Sequence, residues 1–345
     1  ILLGQHNAES GLLEQLKALN EDPRIAVVTE TTANLYHFGF VSCVDRTLEG
    51  FLSKETEPTF IPDLLVTIGE NLISKKLKSL LRKHKNDINH HWHFGEDMMD
   101  TFQCLTHLIA ESPVNLFSSL RHLHCDSRSE FGARWKGQFF KSEQSHEAFL
   151  ETIPYTDLSA FRSILDFVPD GWQIQMGNSS VVRYIQLFNQ LSGVSYFGNR
   201  GVSGIEGCTS TAVGAAMKSE QPVLLISGDH AFRYDANGLS FEDLPKNLRI
   251  IVVNNDGGNI FRIIEGPQSS SSSEQFIEHT QHKSVQKLVE YHGVNYRKAD
   301  SIQTLEHELE QLLGVDDRCT VLEIFTPRIE SPEVLKKYFS LIRES

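Results

Sequence analysis

GDHAFRYDANGLSFEDLPKNLRIIVVNN, running from Gly228 to Asn255 and followed at once by DGGNIF, is the stretch that decides the fold. Leu224, Leu225 and Ile226 lead into it as a buried-type strand that stops at Ser227-Gly228-Asp229. Ile250 to Val253 form a second apolar strand, stopping at Asn254-Asn255 just before Gly257-Gly258. An acid and a carboxamide therefore fall at the carboxyl ends of two hydrophobic strands, where open α/β sheets bind ligands. Asp and Asn oxygens with a nearby backbone carbonyl make a hard-oxygen set suited to Mg²⁺, which completes its octahedron with phosphate oxygens and water. The glycines let the main chain approach a diphosphate closely and leave amides to point at it. The plainer reading is two sheet strands with ordinary Asp and Asn turns. Against it, GD, NN and GG all fall on strand ends, where a site would need them.

Working outward, Asp157 to Val168 reads as a helix with Leu158, Phe161, Ile164, Leu165 and Val168 on one face, stopped by Pro169. Six strands are expected at Trp172–Met176, Val194–Phe197, Val223–Ser227, Ile250–Val253, Asn295–Lys298 and Thr320–Phe325. Helical segments separate most of them, including Ser301–Leu313 closed by Gly314, so the pattern predicts a doubly wound parallel sheet. The stretch before about residue 145 shows a looser α/β rhythm. Leu12, Leu13, Leu16 and Leu19 recur at helical spacing, and Ile25–Thr29 and Asp63–Gly69 read as strands. Leu72–Leu81 reads as an amphipathic helix, while Asn89–Phe94 and Val114–Phe117 look like further strands. Polar Lys141–Glu147 is the expected linker between a domain at 1–145 and one at 146–345. Both are predicted to be three-layer α/β domains with mostly parallel sheets. Ser269–Ser273 reads as a flexible loop, either a lid over the site or a passive connection.

Two more strand ends converge on the opening motif. Gly177-Asn178-Ser179 begins a helix that carries Arg183; Ser179 can cap it, and its amino terminus with Arg183 one turn inside favours an anion. GNRGVSGIEG (Gly198–Gly207) follows the next strand, with a GxxG repeat in place of the GxGxxG of a nicotinamide loop. Arginine is the natural clamp for a carboxylate, and Arg183 and Arg200 sit on the same rim as Asp229 and Asn255. The histidines weigh less. His91 and His93 share one strand face, but neither that group nor His122, His124 and Cys125 has paired metal spacing, and surface-strand histidines are expected. No evident base activates Cys125 as a nucleophile.

The 345 residues suit about two domains, and 40% hydrophobic with 22% charged residues is ordinary for a globular protein. A net charge of −13 argues against nucleic acid as partner, since neutralising phosphates needs a basic face. Five scattered cysteines without CxxC spacing read as reduced thiols in a cytoplasmic protein. No apolar run approaches the roughly 18 residues of a membrane span, and no signal peptide is visible.

GD, 24 residues, then NN resembles the thiamine-diphosphate motif. GNSSVVR, NRGVSGIEG, GDHAFRYDANG and VVNNDGGNIF together resemble one thiamine-diphosphate family, the 2-succinyl-5-enolpyruvyl-6-hydroxy-3-cyclohexene-1-carboxylate synthases of menaquinone biosynthesis. The resemblance is strong over residues 150–270 and looser elsewhere; Lys75-Lys76 stands where the family has Lys-Arg. It implies a transferase that decarboxylates 2-oxoglutarate on thiamine diphosphate and adds the succinyl carbanion equivalent to isochorismate. It further implies Mg²⁺ (or Mn²⁺) on Asp229, Asn255 and the Gly257 carbonyl, with Ile205, Gly228 and Gly258 also at the cofactor. Asn178, Ser179, Arg183, Arg200, Ile260 and Phe261 are then expected at the substrates, with Lys75 and Lys76 from a middle, transhydrogenase-dIII-like domain. The second domain becomes the diphosphate-binding (PP) domain. No stretch resembles the family's amino-terminal pyrimidine-binding domain, which carries the activating glutamate, so no catalytic residue is expected in these 345 residues. They are expected to be inactive alone and part of a homodimer or homotetramer at full length. The alternatives are another thiamine-diphosphate carboligase or 2-oxo-acid decarboxylase, and a non-catalytic α/β binding module.

Overall fold

The computed structural model describes all residues except 7–8, 53, 121–127, 264–276, 281–282, 315–317 and 345. The loop expected at Ser269–Ser273 and the His122, His124, Cys125 group lie outside the described residues. The chain forms two compact units: Ile1–Ala148 with Gln186–Gln190 and Phe339–Ser345, and Phe149–Ile185 with Leu191–Tyr338. Each is an α/β unit around an all-parallel sheet, and among the described residues no helix is long and apolar enough to cross a membrane.

The first unit holds β1 (Leu2–Leu3), α1 (Leu12–Asn20), β2 (Val28–Thr29), α2 (Val44–Glu49), β3 (Leu64–Ile68), α3 (Lys75–Lys83), β4 (His90–Phe94), β5 (His107–Ile109), α4 (Pro113–Leu120) and α5 (Phe131–Leu150). Its sheet runs β2-β1-β3-β4-β5. Successive strand residues point to opposite faces, and each face has its own core: Leu2, Val28 and Leu65 pack in one, Leu3, Val66 and Ile68 in the other. At one end of the first core Phe51 stacks on Phe60 at 3.8 Å, and Trp135 meets both edge-on while its ring N–H donates to Phe60 O at 3.1 Å.

Three expectations for this unit are corrected. Lys141–Glu147 is no linker but lies within α5, a continuous 20-residue helix. Trp135, Phe139, Ser142 and His146 keep a helical spacing on its buried side, so the periodicity continues through polar residues that look like loop. Val114–Phe117 is helix, not strand, because Pro113 sits at the first helical position with its φ pre-set and the Ser112 hydroxyl accepts from Val114 N at 3.2 Å. His91 and His93 are not surface residues. They are 0% and 4% exposed, and both ring nitrogens meet the Thr67 hydroxyl, at 3.0 and 2.8 Å. Burial pushes His91 down to about 4, the state of a neutral core histidine.

The second unit holds α6 (Asp157–Phe167), β6 (Gln173–Met176), α7 (Ser180–Ile185), β7 (Ser195–Gly198), α8 (Cys208–Lys218), β8 (Val223–Gly228), α9 (Asp229–Tyr234), β9 (Leu248–Asn254), α10 (Ile260–Ile263), α11 (Val285–Tyr291), β10 (Asn295–Ala299), α12 (Ile302–Leu313), β11 (Thr320–Phe325) and α13 (Glu330–Glu344), whose last turns belong to the first unit. All six strands expected from sequence are present, in the order β10-β11-β9-β8-β6-β7. Val223 and Leu225 pack on one face with Ala212, Val213 and Val289, while Leu224 and Ile226 on the other face are equally buried. Continuous apolar strands covered on both sides are what a parallel sheet requires. From β6 the chain steps outward to β7, and from β8 it steps outward the other way to β9. The β6/β8 boundary is thus a topological switch point, where connecting loops diverge and leave a crevice at the carboxyl ends. Gly177 closes β6 there: a Cβ at this position would lie 2.9 Å from Ile226 O, so only glycine lets the two strand ends approach.

Candidate functional site

At the end of β8 the chain turns directly into α9, with Asp229 at its first position, where negative charge is favourable. Asp229 is 2% exposed, and Arg233 one turn later donates to Oδ2 at 2.6 Å. Burial pushes the carboxyl up, and Arg233 and then His230 pull it back. The His230 ring nitrogen lies 3.9 Å from the same oxygen, and its ring faces His279 at 6.1 Å.

At the end of β9 the two asparagines divide the work. Asn254 is structural: it donates to Glu323 at 2.6 Å and accepts from Asp256 N at 3.0 Å, fixing the turn. Asn255, 7% exposed, donates its Nδ2 to Asp157 Oδ2 at 2.9 Å. A carboxamide has nitrogen and oxygen on opposite edges, so this bond turns the Asn255 oxygen away from Asp157. Two residues on, Gly257 adopts φ +145°, and a Cβ there would lie 3.2 Å from Glu278 O. Gly258 N–H donates to that same carbonyl at 2.8 Å, and Arg262 and Arg328 both bond the buried Glu278 carboxylate.

After β6, Ser179 sits in the left-handed region at φ +70°, and Arg183 Nη1 donates to its carbonyl at 2.5 Å. Asn178 donates to Asn199 O at 2.8 Å and Gly204 O at 2.6 Å and accepts from Arg200 Nη1 at 2.5 Å. It therefore ties the β6 loop to the glycine-rich loop after β7.

These strand ends enclose a cavity of about 190 Å³. Of the residues singled out by sequence it brings together Asn178, Ser179, Ile205, Gly228, Asp229, Asn255, Gly257, Gly258, Ile260 and Phe261. Arg183 and Arg200 stand behind its wall, bonded to Ser179 and Asn178, which line it. Lys75 and Lys76 open α3 in the first unit, where Lys76 is ion-paired with Glu49 and its ammonium lies 3.8 Å from the Phe339 ring centroid. Sequence reasoning missed Asp157, His230 and Asn259, which also line the cavity. Asp157 looks like an ordinary first-turn helix acid, and Asn259 like a loop residue beside two glycines. A larger cavity of about 370 Å³ in the first unit is walled largely by apolar groups such as Leu65, Trp92, Phe131 and Trp135. Chemistry rather than size therefore singles out the smaller one.

Residues 175–324, which contain all of these strand ends, match the family described as thiamine pyrophosphate enzyme, C-terminal TPP binding domain. Over nearly its whole length the chain is similar to 2-succinyl-5-enolpyruvyl-6-hydroxy-3-cyclohexene-1-carboxylate synthases. It is 35% identical to that of Flavobacterium johnsoniae (98% of this chain, 61% of the relative) and 37% identical to that of Christiangramia forsetii (97% and 59%). It is 33% identical to that of Porphyromonas gingivalis (99% and 60%). It spans about three-fifths of the length of the curated synthases it matches.

The donor set at the switch point fits a hard divalent cation carrying a diphosphate. Asp229 supplies a carboxylate, Asn255 a carboxamide already turned by Asp157, and Gly257 a carbonyl that accepts from Asn259 N at 2.9 Å. Asn259 adds a second sign that the cavity is made for a polar guest. It is 3% exposed, and neither atom of its carboxamide has a hydrogen-bond partner among the described residues, a state that costs free energy when left unmet. No three His, Cys, Asp or Glu side chains converge on a metal-sized gap among the described residues, so any cation here relies on amide and backbone oxygens beside Asp229.

Proposed function

We propose that the full-length protein is a thiamine-diphosphate-dependent synthase that decarboxylates 2-oxoglutarate, releasing CO₂, and joins the remaining succinyl unit to isochorismate. The observation that carries this reading is the meeting of Asp229 and Asn255 in one switch-point cavity within a matched thiamine-pyrophosphate domain. Asp229, Asn255 and the Gly257 carbonyl would hold Mg²⁺ (or Mn²⁺) against the diphosphate, with Gly228, Gly258 and Ile205 at the cofactor. The bound cofactor supplies the electron sink for a carbanion. Ser179 and Asn178 face the substrates, and Arg183 and Arg200 orient them and lend positive charge to the substrate carboxylates. Ile260 and Phe261 exclude water from the reacting carbon, where a low dielectric favours carbanion chemistry. Lys75, from a middle domain, completes the anion-binding set; Lys76, held by Glu49, is its support. The active unit is a homodimer or homotetramer whose pyrimidine-binding domain supplies the activating glutamate, and the 345 residues alone are inactive. A reducing, cytoplasmic setting suits the free thiols Cys43, Cys104, Cys208 and Cys319 among the described residues.

The test is product formation from 2-oxoglutarate and isochorismate by the full-length protein with thiamine diphosphate and Mg²⁺. Asp229→Ala is expected to fall to background. Arg183→Ala is expected to keep cofactor binding and lose isochorismate-dependent product. Full activity of Asp229→Ala would refute the metal assignment. Turnover of 2-oxoglutarate with no preference for isochorismate as acceptor would refute the substrate pair.

A further inference from the structure

We propose that Asp157 is a positioning residue for the cation: its carboxylate holds the Asn255 carboxamide so that oxygen, not nitrogen, is offered to the metal. The inference rests on the metal reading above and deepens it.

A carboxamide is close to symmetric in shape, so packing alone cannot decide which edge faces a cavity; hydrogen-bond partners decide it. An ionised carboxylate only accepts, and can therefore hold only the nitrogen edge. Asp157 Oδ2 takes Asn255 Nδ2 at 2.9 Å, a contact spanning 98 residues of sequence. The carboxylate is itself fixed from other elements. The Thr326 hydroxyl, just past β11, donates to Oδ1, and Asp157 N–H donates to the Ser331 hydroxyl in α13 at 3.0 Å. Asp157 is 1% exposed and lines the same cavity as Asp229 and Asn255. The groups bonded to its carboxylate are neutral, and no cationic side chain forms an ion pair with it among the described residues. A buried carboxylate without a counter-cation is costly. A divalent ion in the adjoining cavity supplies that missing charge while using the oxygen Asp157 has turned toward it. Asp229, by contrast, already has Arg233.

The test is a calorimetric Mg²⁺ titration of the intact protein in the presence of inorganic diphosphate, with thermal unfolding as a folding control. Removing a group that orients a ligand typically costs about 10–100-fold in metal affinity, and Asp157→Ala is expected to lose that much. Asp157→Asn should lose far less, since its oxygen still accepts from Asn255 while its nitrogen donates to the Thr326 hydroxyl. The sharper readout is a change of sign. Asn255→Asp should weaken Mg²⁺ binding when Asp157 is present, because two buried carboxylates then abut. In the Asp157→Asn background the same substitution should restore binding, because a carboxylate carries oxygen on both edges. This pair of variants decides the matter even if Asp157→Ala does not fold. Equal affinity of the Asn255→Asp protein with Asp or Asn at position 157 overturns the inference while the metal reading stands, provided Asp229→Ala abolishes binding. No diphosphate-dependent Mg²⁺ binding by the wild-type protein overturns both.

Discussion

Asp229 and Asn255 were legible because their meaning lies in residue type at a strand end: an acid and an amide where an apolar run stops. Residue type at a strand end does not by itself say which asparagine of the pair faces the cavity; the family resemblance points to Asn255. The choice depends on Glu323, which claims Asn254, and on Asp157, which claims Asn255, both brought in from distant sequence. Asp157 was therefore invisible as a site residue, although its helix was correctly anticipated. Gly257 gives a prediction at this scale. Its φ of +145° and the nearby Glu278 carbonyl exclude a side chain without strain, so Gly257→Ala should cost about 1–3 kcal/mol of stability. Chemical denaturation measures it, and an unchanged unfolding midpoint would show that the turn relaxes freely.

Among elements, those that follow a strict period were readable and those that put polar residues on buried faces were not. β8 and β9 carry the apolar runs Val223–Ile226 and Ile250–Val253, and α12 announces itself with Ser301 ahead of its apolar stripe and Gly314 behind. The Ser301 hydroxyl accepts from Thr304 N at 3.3 Å and the Thr304 hydroxyl accepts from Ser301 N at 3.0 Å, a reciprocal cap. Ser301→Ala should lower stability by about 1 kcal/mol, read as a lower melting temperature. α5 failed the same reading because Ser142 and His146 occupy its buried stripe. The entrance to α3 makes a pH-dependent prediction. Glu30 is fully buried, accepts from Ile73 N and from Ser74 N at 2.7 Å, and faces Asp45 and Lys78. Burial raises its carboxyl from the ordinary 4.5 to about 7, so the folded state favours the protonated form. Its contribution is complete below about pH 4.5 and is lost as pH rises to about 7, a change of about 3 kcal/mol. Glu30→Gln should flatten the loss of stability between pH 5 and 8 in urea denaturation. An unaltered pH profile would place the titrating group elsewhere.

For the molecule as a whole, strand–helix alternation predicts a parallel α/β architecture, and both units have it. The identity of the site came from the coincidence of several loops at one switch point rather than from any single motif. The exchange of Gln186–Gln190 and Phe339–Ser345 into the first unit had no sequence signal, because it depends on tertiary packing and not on local pattern. The central claim is that the β6/β8 crevice holds thiamine diphosphate through a divalent cation on Asp229 and Asn255. Isothermal titration of thiamine diphosphate into the full-length protein, with and without Mg²⁺, tests it most directly. Saturable binding that requires Mg²⁺ and disappears in Asp229→Ala is the expected result; binding that is indifferent to both Mg²⁺ and Asp229 would contradict it.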